Sequence, residues 1–503
     1  MSIKVDDEGK LASFLDELER RLEGVDVEYG ETLWKKYLRQ PHGDLDEIER
    51  RRSETILNND YFRVVKDWTS RVKDKFLAKR VRAVERHLLG ERVEALPDIF
   101  VLRNRINEEH IKFRPVVSGR EMDRTDILEM LRKDPDRSKR KAAWESFAEL
   151  SRKIENDVKE LVKKRNHNAK ELGYQTYAEY SLTLDIIDKD DLLTLYEKLD
   201  RLSKPYFSAI LEKIKKKLRI EHLEPWDISF AIDKFVKPPD EHFPKDQIIP
   251  KIKELVKSWG INTEELPILI KQADIPFGGL CFSIRIPTDV RIVSNPRDGH
   301  RFYVTLFHEY GHALHACFVK QRHYPLKLDV GCFSEGMATI LQHFTSDPDW
   351  LRMNTPLTNE EITRFVKATK ASLLLRLRNL MALSFFEFLT YENPEQDLNK
   401  LWSRTQAKYL FVSENETPQW AAQSIYTTHP IYFQNYILAE MIAAQTIRCL
   451  KEKYGQLLNN ARIAEFLIQN YYGPGSSVDW PEKIEKATGR KLGAEALVQQ
   501  LAI

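Results

Sequence analysis

The chain has 503 residues, 79 basic and 77 acidic side chains for a net charge of +2, and 42% hydrophobic residues. The length and apolar content call for two helical lobes or one large helical body, and the near-neutral charge argues against a nucleic-acid or membrane-surface partner. Its most apolar stretch, residues 371–389, is broken by Arg376, Arg378 and Glu387, which excludes a membrane span.

Residues 1–20 carry charges throughout, so no secretory leader is expected. Cys281, Cys317, Cys332 and Cys449 form no C-x-x-C pair, and reduced thiols in a cytoplasm fit them best. Residues 142–172 place apolar side chains at 143, 147, 150, 154, 158, 161 and 162. That spacing predicts a long amphipathic helix closed by Gly173. The Pro-rich stretch 237–250 reads as a surface loop or a joint. Residues 281–293 alternate Phe282, Ile284 and Ile286, then Val290 and Ile292, which predicts a hairpin or edge strand. Such an edge can pair with an extended peptide.

The apolar run 303–318 predicts a helix, and it holds His308-Glu309-Tyr310-Gly311-His312. Residues four apart share a helix face, so both imidazoles can meet one ion. Glu309 sits offset, where it can reach a water on that ion. This H-E-x-x-H pattern is the arrangement of a zinc peptidase. A catalytic zinc keeps three protein ligands and one open position. The metzincin pattern needs Gly at 315 and His at 318, and the chain has His315 and Phe318 there. Past a polar loop at 320–329, Glu335 opens a second apolar helix, and a buried carboxylate there needs a partner. His308, His312 and Glu335 are therefore the expected ligands of one zinc per chain, with Glu309 as general base. His315 is the spare candidate, better suited to support or packing. His343 is two turns past Glu335, about 12 Å along the helix, and cannot share the ion.

Thr358-Asn359-Glu360-Glu361 is a capping box that starts another long helix towards Leu389. Residues 426–436 gather His429, Tyr432 and Tyr436 ahead of an apolar helix at 437–447. These are candidate donors to the oxyanion of a tetrahedral intermediate.

These residues together resemble a family. His308-Glu309-x-Gly311-His312-Ala313 with Phe333-Ser334-Glu335 is similar to the zinc oligopeptidases, which join thimet oligopeptidase and oligoendopeptidase F to angiotensin-converting enzyme. His429-Pro430-Ile431-Tyr432 followed by Tyr436 resembles a His-Pro-Phe-Tyr stretch of oligoendopeptidase F. The tail from Gly475-Ser476-Ser477 through Trp480-Pro481-Glu482 to Thr488-Gly489 resembles the C-terminus of angiotensin-converting enzyme. The run 161–180 is similar to the N-terminal lobe of both. The resemblance implies a mainly α fold, a large helical ellipsoid with a deep substrate channel, to which the alternation at 281–293 adds a small antiparallel sheet next to the zinc helix. The resemblance spans roughly residues 120–490, and the expected organisation is a single metallopeptidase domain over 1–503 of two helical lobes, with a zinc-binding core at about 278–345 and a substrate segment at about 418–447. It makes Tyr432 the transition-state donor, with Tyr436 and His429 beside it.

The chain also departs from these relatives. Thr339 stands where angiotensin-converting enzyme has an Asp one turn after the glutamate ligand, so support for the zinc ligands must come from elsewhere. Pro418-Gln419-Trp420 offers no basic residue where that enzyme grips a substrate carboxylate. The His-Glu-Ser-Gln sequence of thermostable carboxypeptidases is replaced by Ser334-Glu335-Gly336. The leading expectation is a cytoplasmic zinc metallopeptidase cutting short peptides. The alternatives are a carboxypeptidase or peptidyl-dipeptidase of the same fold, and a non-catalytic peptide-binding scaffold. Oligomeric state is not legible in the sequence.

Overall fold

Short polar side chains punctuate this chain at helix starts. Asp7, Asn58, Asp136, Thr176 and Asp397 each accept a backbone N–H from the first turn of the helix that follows. The computed structural model describes residues 3–235 and 240–502, and its fold is mainly α as expected. The helix expected at 142–172 runs Arg137–Glu171 and ends at Gly173, whose φ is +96°. It begins five residues early because its first turn is polar and capped by Asp136, which apolar spacing does not reveal. The helix after Thr358 spans Asn359–Glu392. The Pro-rich stretch 237–250 is not one loop. Residues 237–239 lie outside the described part. From 240 the chain forms two short turns and then the helix Ile248–Ser258. Pro250 sits in its first turn, where a missing N–H removes no hydrogen bond.

The contacts divide the chain into two compact units. One comprises Met1–Ala95, Pro238–Asn359 and Leu438–Leu492. Its sheet has Asp289–Ser294 at the centre, antiparallel to Gly279–Arg285 and parallel to Ile268–Gln272. The expected hairpin is there, with Gly279–Arg285 at an edge. The third strand makes the sheet mixed rather than purely antiparallel. Ile268-Leu269-Ile270 is too short an apolar run to announce a strand by its period. Phe282, Ile284 and Val293 pack with Trp34 of the helix Glu8–Tyr37.

The other unit comprises Leu96–Lys237, Glu360–Ile437 and Gly493–Ile503. Its core sets Phe147, Ile154 and Leu161 with Ile106, Phe386 and Trp420. Among the described residues no helix is long and apolar enough to cross a membrane.

One buried group in this second unit bears on acid stability. On the helix Pro97–Lys112, Ile99, Leu102 and Ile106 face the core, and His110 follows one turn later. Neither of its ring nitrogens has a hydrogen-bond partner. Burial, with a smaller push from Arg124, lowers its pKa to about 4. The unfolded chain titrates near the ordinary value of about 6.5. Neutral His110 therefore suits the fold above pH 6.5, and stability is lost as pH falls from there towards 4. The gap corresponds to about 3 kcal/mol when complete. In urea unfolding at a series of pH values, His110→Leu is expected to flatten the decline over that window. Parallel curves for the two proteins would refute this.

Candidate metal centre

The helix His300–Cys317, which carries the H-E-x-x-H residues, meets the helix Gly331–His343 at Gly311. A β-carbon on Gly311 would lie 2.7 Å from the Ala338 Cα and 3.0 Å from its carbonyl oxygen. Only glycine lets the two backbones approach this far. Gly336 leaves room for the side chain of Ile442, whose Cγ2 would stand 2.9 Å from an added β-carbon. This contact brings His308, His312 and Glu335 together. One donor atom from each lies within 4.8 Å of the others. The imidazoles cross nearly at right angles, with centroids 4.8 Å apart.

Each imidazole is oriented through its other nitrogen. His308 Nδ1 donates to Gln342 Oε1 at 3.0 Å, and His312 Nδ1 lies 3.2 Å from Ser334 Oγ. Both rings are thus held with Nε2 available to an ion, and His308 Nε2 is 3.1 Å from Glu335 Oε2. Gln342 and Ser334 thus hold the two imidazoles, at positions other than Thr339. The sequence held one signal for Gln342. It lies seven residues past Glu335, two turns along the same face.

The electrostatics follow from burial and charge. Burial opposes protonation of His308, but its bond to Glu335 and the charges of Glu335 and Glu309 hold its pKa above the usual value. Burial and the nearby His308 push His312 down to about 3, so it stays neutral, the form that binds metal. Burial also raises the Glu309 carboxyl above its ordinary range.

His315 does not join the cluster. Its Nε2 bonds Asp329 Oδ2 at 3.0 Å, and Lys483 Nζ reaches both Asp329 oxygens at 2.7 and 2.9 Å. This buried network ties the end of the motif helix to the approach to Gly331–His343. His343 points elsewhere and bonds Glu440 at 2.8 Å.

Glu309 stands beside the cluster and is held by the sheet. Its Oε2 accepts the Cys281 N–H at 2.8 Å. The strand comes this close because Gly279 has no side chain. A β-carbon there would lie 2.9 Å from Leu306 Cδ2 and 3.2 Å from Glu309 Cγ. With the Cys281 amide turned to Glu309, alternate residues Gly279, Cys281 and Ser283 direct their backbone groups away from Asp289–Ser294. Sequence reasoning missed this amide, because any residue but proline supplies one.

The residues His429, Tyr432 and Tyr436 belong to the second unit, where they form an aromatic series. Tyr432 lies edge-on to Tyr436 at 5.3 Å and to His429 at 6.0 Å. His429 and Tyr436 are exposed and Tyr432 is half-buried. The helix behind them starts at Phe433, four residues before the expected 437. Immediately before Tyr432, Ile431 adopts φ +53°. A left-handed β-branched residue costs about 1–2 kcal/mol, so its surroundings must hold it.

Residues 130–253 and 292–503 match Peptidase family M3. His308, Glu309, His312, Glu335 and the 426–436 segment all fall inside the match, while the edge strand Gly279–Arg285 lies between the two matched stretches. No curated protein matches the chain. The matched stretches cover more than half of the 503 residues, and the chain belongs to Peptidase family M3.

Proposed function

We propose that this protein is a zinc-dependent oligopeptidase that hydrolyses peptide bonds of short peptides. The observation that carries the reading is the donor trio of His308, His312 and Glu335 with the Glu309 carboxylate beside it but outside it. Two imidazole nitrogens and a carboxylate oxygen are the donor set of a catalytic zinc. Tetrahedral donors about 2.1 Å from one ion stand about 3.4 Å apart. The 3.1 Å between His308 Nε2 and Glu335 Oε2 suits that span.

A bound zinc supplies a Lewis acid that acidifies water and polarises the scissile carbonyl. Glu309 takes the proton of the attacking water and returns it to the leaving amine. The Cys281 amide fixes its carboxylate during both transfers. The outward backbone groups of Gly279–Arg285 pair with an extended peptide, which selects short or unfolded substrates. Tyr432 donates a hydrogen bond to the oxyanion, with Tyr436 and His429 supporting it. The chain 1–503 works as one catalytic domain, with its zinc-binding core at 278–345 and a substrate segment at 418–447. The described cysteines are all unbridged, which suits a cytoplasmic protein.

The test is product analysis on a mixed peptide library with free or blocked C-termini, with and without chelator. Internal cuts in both peptide sets, abolished by chelator, support the reading. Release of residues only from free C-termini would make it a carboxypeptidase or peptidyl-dipeptidase. No cleavage by the zinc-loaded protein would leave a binding scaffold. Tyr432→Phe removes one hydroxyl and should lower kcat by about 10²–10³ with KM little changed. A near-normal Tyr432→Phe beside a crippled Tyr436→Phe would move the role to Tyr436.

A further inference from the structure

The turn that delivers Tyr432 is gripped from the protein interior by buried side chains of two helices. Glu387 lies on the helix Asn359–Glu392 and is buried, 3% exposed. Its Oε1 accepts the N–H of Ile431 at 2.8 Å. Gln434 Nε2 donates to the carbonyl of the same residue at 2.5 Å. Both backbone polar groups of the left-handed Ile431 are thus held by side chains. One turn earlier, the fully buried Arg165 donates to the carbonyls of Tyr426 at 2.9 Å and Thr427 at 2.7 Å. Arg165 lies on Arg137–Glu171, so the two longest helices of this unit hold the turn between them. Burial raises the Glu387 carboxyl to about 8, against the pull of the Ile431 amide and the Arg165 charge.

An acid this costly to bury, aimed at one backbone amide, calls for a reason. Ile431 would relax to an ordinary conformation if released, and Tyr432 is the next residue. A rotation of one backbone unit swings the following side chain through several ångströms. Misplacement of about 1 Å is enough to cost roughly 10²-fold in rate.

We propose that Glu387 and Arg165 are positioning residues. They clamp the 426–431 turn with Ile431 left-handed, and so fix the phenol of Tyr432 where it acts. This rests on the reading of Tyr432 as the oxyanion donor.

The experiment is steady-state kinetics on one short peptide with the zinc-loaded full chain. It compares Tyr432→Phe, Glu387→Leu, Glu387→Gln and the double variant Glu387→Leu/Tyr432→Phe. Glu387→Leu is expected to lower kcat roughly 10²-fold with KM within about twofold. Glu387→Gln keeps an oxygen that accepts the Ile431 N–H, and should restore most of that loss. In the double variant, Glu387→Leu should cost nothing beyond Tyr432→Phe, because a phenol already removed cannot be misplaced. Gln434→Met loosens the same residue from its carbonyl side, and it replaces Glu387→Leu in the cycle if the latter fails to fold. Additive effects with Tyr432→Phe, normal turnover in Glu387→Leu, or a Gln variant as impaired as the Leu variant would each overturn the inference. A near-normal Tyr432→Phe would instead remove the reading beneath it, so the two failures are distinguishable.

Discussion

Glu309→Gln is expected to keep its metal and its fold while losing about 10²–10⁴ in kcat. The substitution preserves shape, and an amide oxygen can still accept the Cys281 N–H that now fixes the carboxylate at 2.8 Å. What it removes is the ability to take a proton. Glu309 is adjacent to His308 in sequence yet absent from the candidate donor trio, so zinc content should not change. Its helix is anchored by the Gly311 contact and the His315–Asp329–Lys483 network, neither of which involves Glu309. The paired measurements are metal analysis, thermal unfolding and single-turnover peptide hydrolysis. Wild-type turnover in the Gln variant would end the assignment of Glu309 as base. Loss of metal would show that Glu309 is a ligand instead.

The second large effect is on metal binding. Removing any one of His308, His312 or Glu335 takes away a third of the protein's donors, and tight zinc binding should disappear. A graded series makes the prediction sharper. Gln342→Leu leaves all three donors in place but frees His308 Nδ1, which is now held at 3.0 Å. Loss of such an outer hydrogen bond weakens zinc by roughly 10–100-fold, well short of the ligand variants. Glu335→Ala, His308→Ala and Gln342→Leu can be ranked by competition with a zinc-sensitive dye. Full zinc occupancy in Glu335→Ala would sink that ligand, and equal affinity for Gln342→Leu and wild type would remove Gln342 from the support. Metal binding only the native state also raises the thermal midpoint. Zinc should stabilise the wild type and leave the ligand variants unmoved.

The readable parts of this molecule are those in which chemistry and periodicity coincide. The His308–His312 pair shows because four residues make one helical turn. The long helix at Arg137–Glu171 shows because its apolar spacing persists over many turns, and Asn359–Glu392 shows because Thr358-Asn359-Glu360-Glu361 reads as a helix start. The hairpin before the motif helix shows in the alternation of Phe282 and Ile284. The hidden parts rest on backbone groups and on distance. Nothing in a sequence marks the Cys281 amide as a partner for Glu309, nor Glu387 as the acceptor for Ile431, 44 residues away. The strand Ile268–Gln272 pairs in parallel with Asp289–Ser294, a non-local match that a five-residue run cannot announce. Gly311 was legible as part of a motif, yet its reason, the Ala338 backbone against it, emerged only from the packing of two helices.

The interleaving of the two units has a consequence for the order in which the chain can acquire its parts during synthesis. Residues 11–88 hold a hydrophobic cluster of their own and can begin to consolidate early, with Tyr324 packing on later. Trp34 must wait for Phe282, Ile284 and Val293. The Glu335 helix waits longer still, because Gly336 rests on Ile442. At about 5–20 residues per second, the stretch from residue 95 to residue 442 takes the ribosome roughly 20–70 s. Over that interval the three donor residues emerge before the wall behind one of them exists. Nascent chains halted near residue 400 should therefore carry His308, His312 and Glu335 yet retain metal poorly, and release of the last hundred residues should set the moment at which the centre matures.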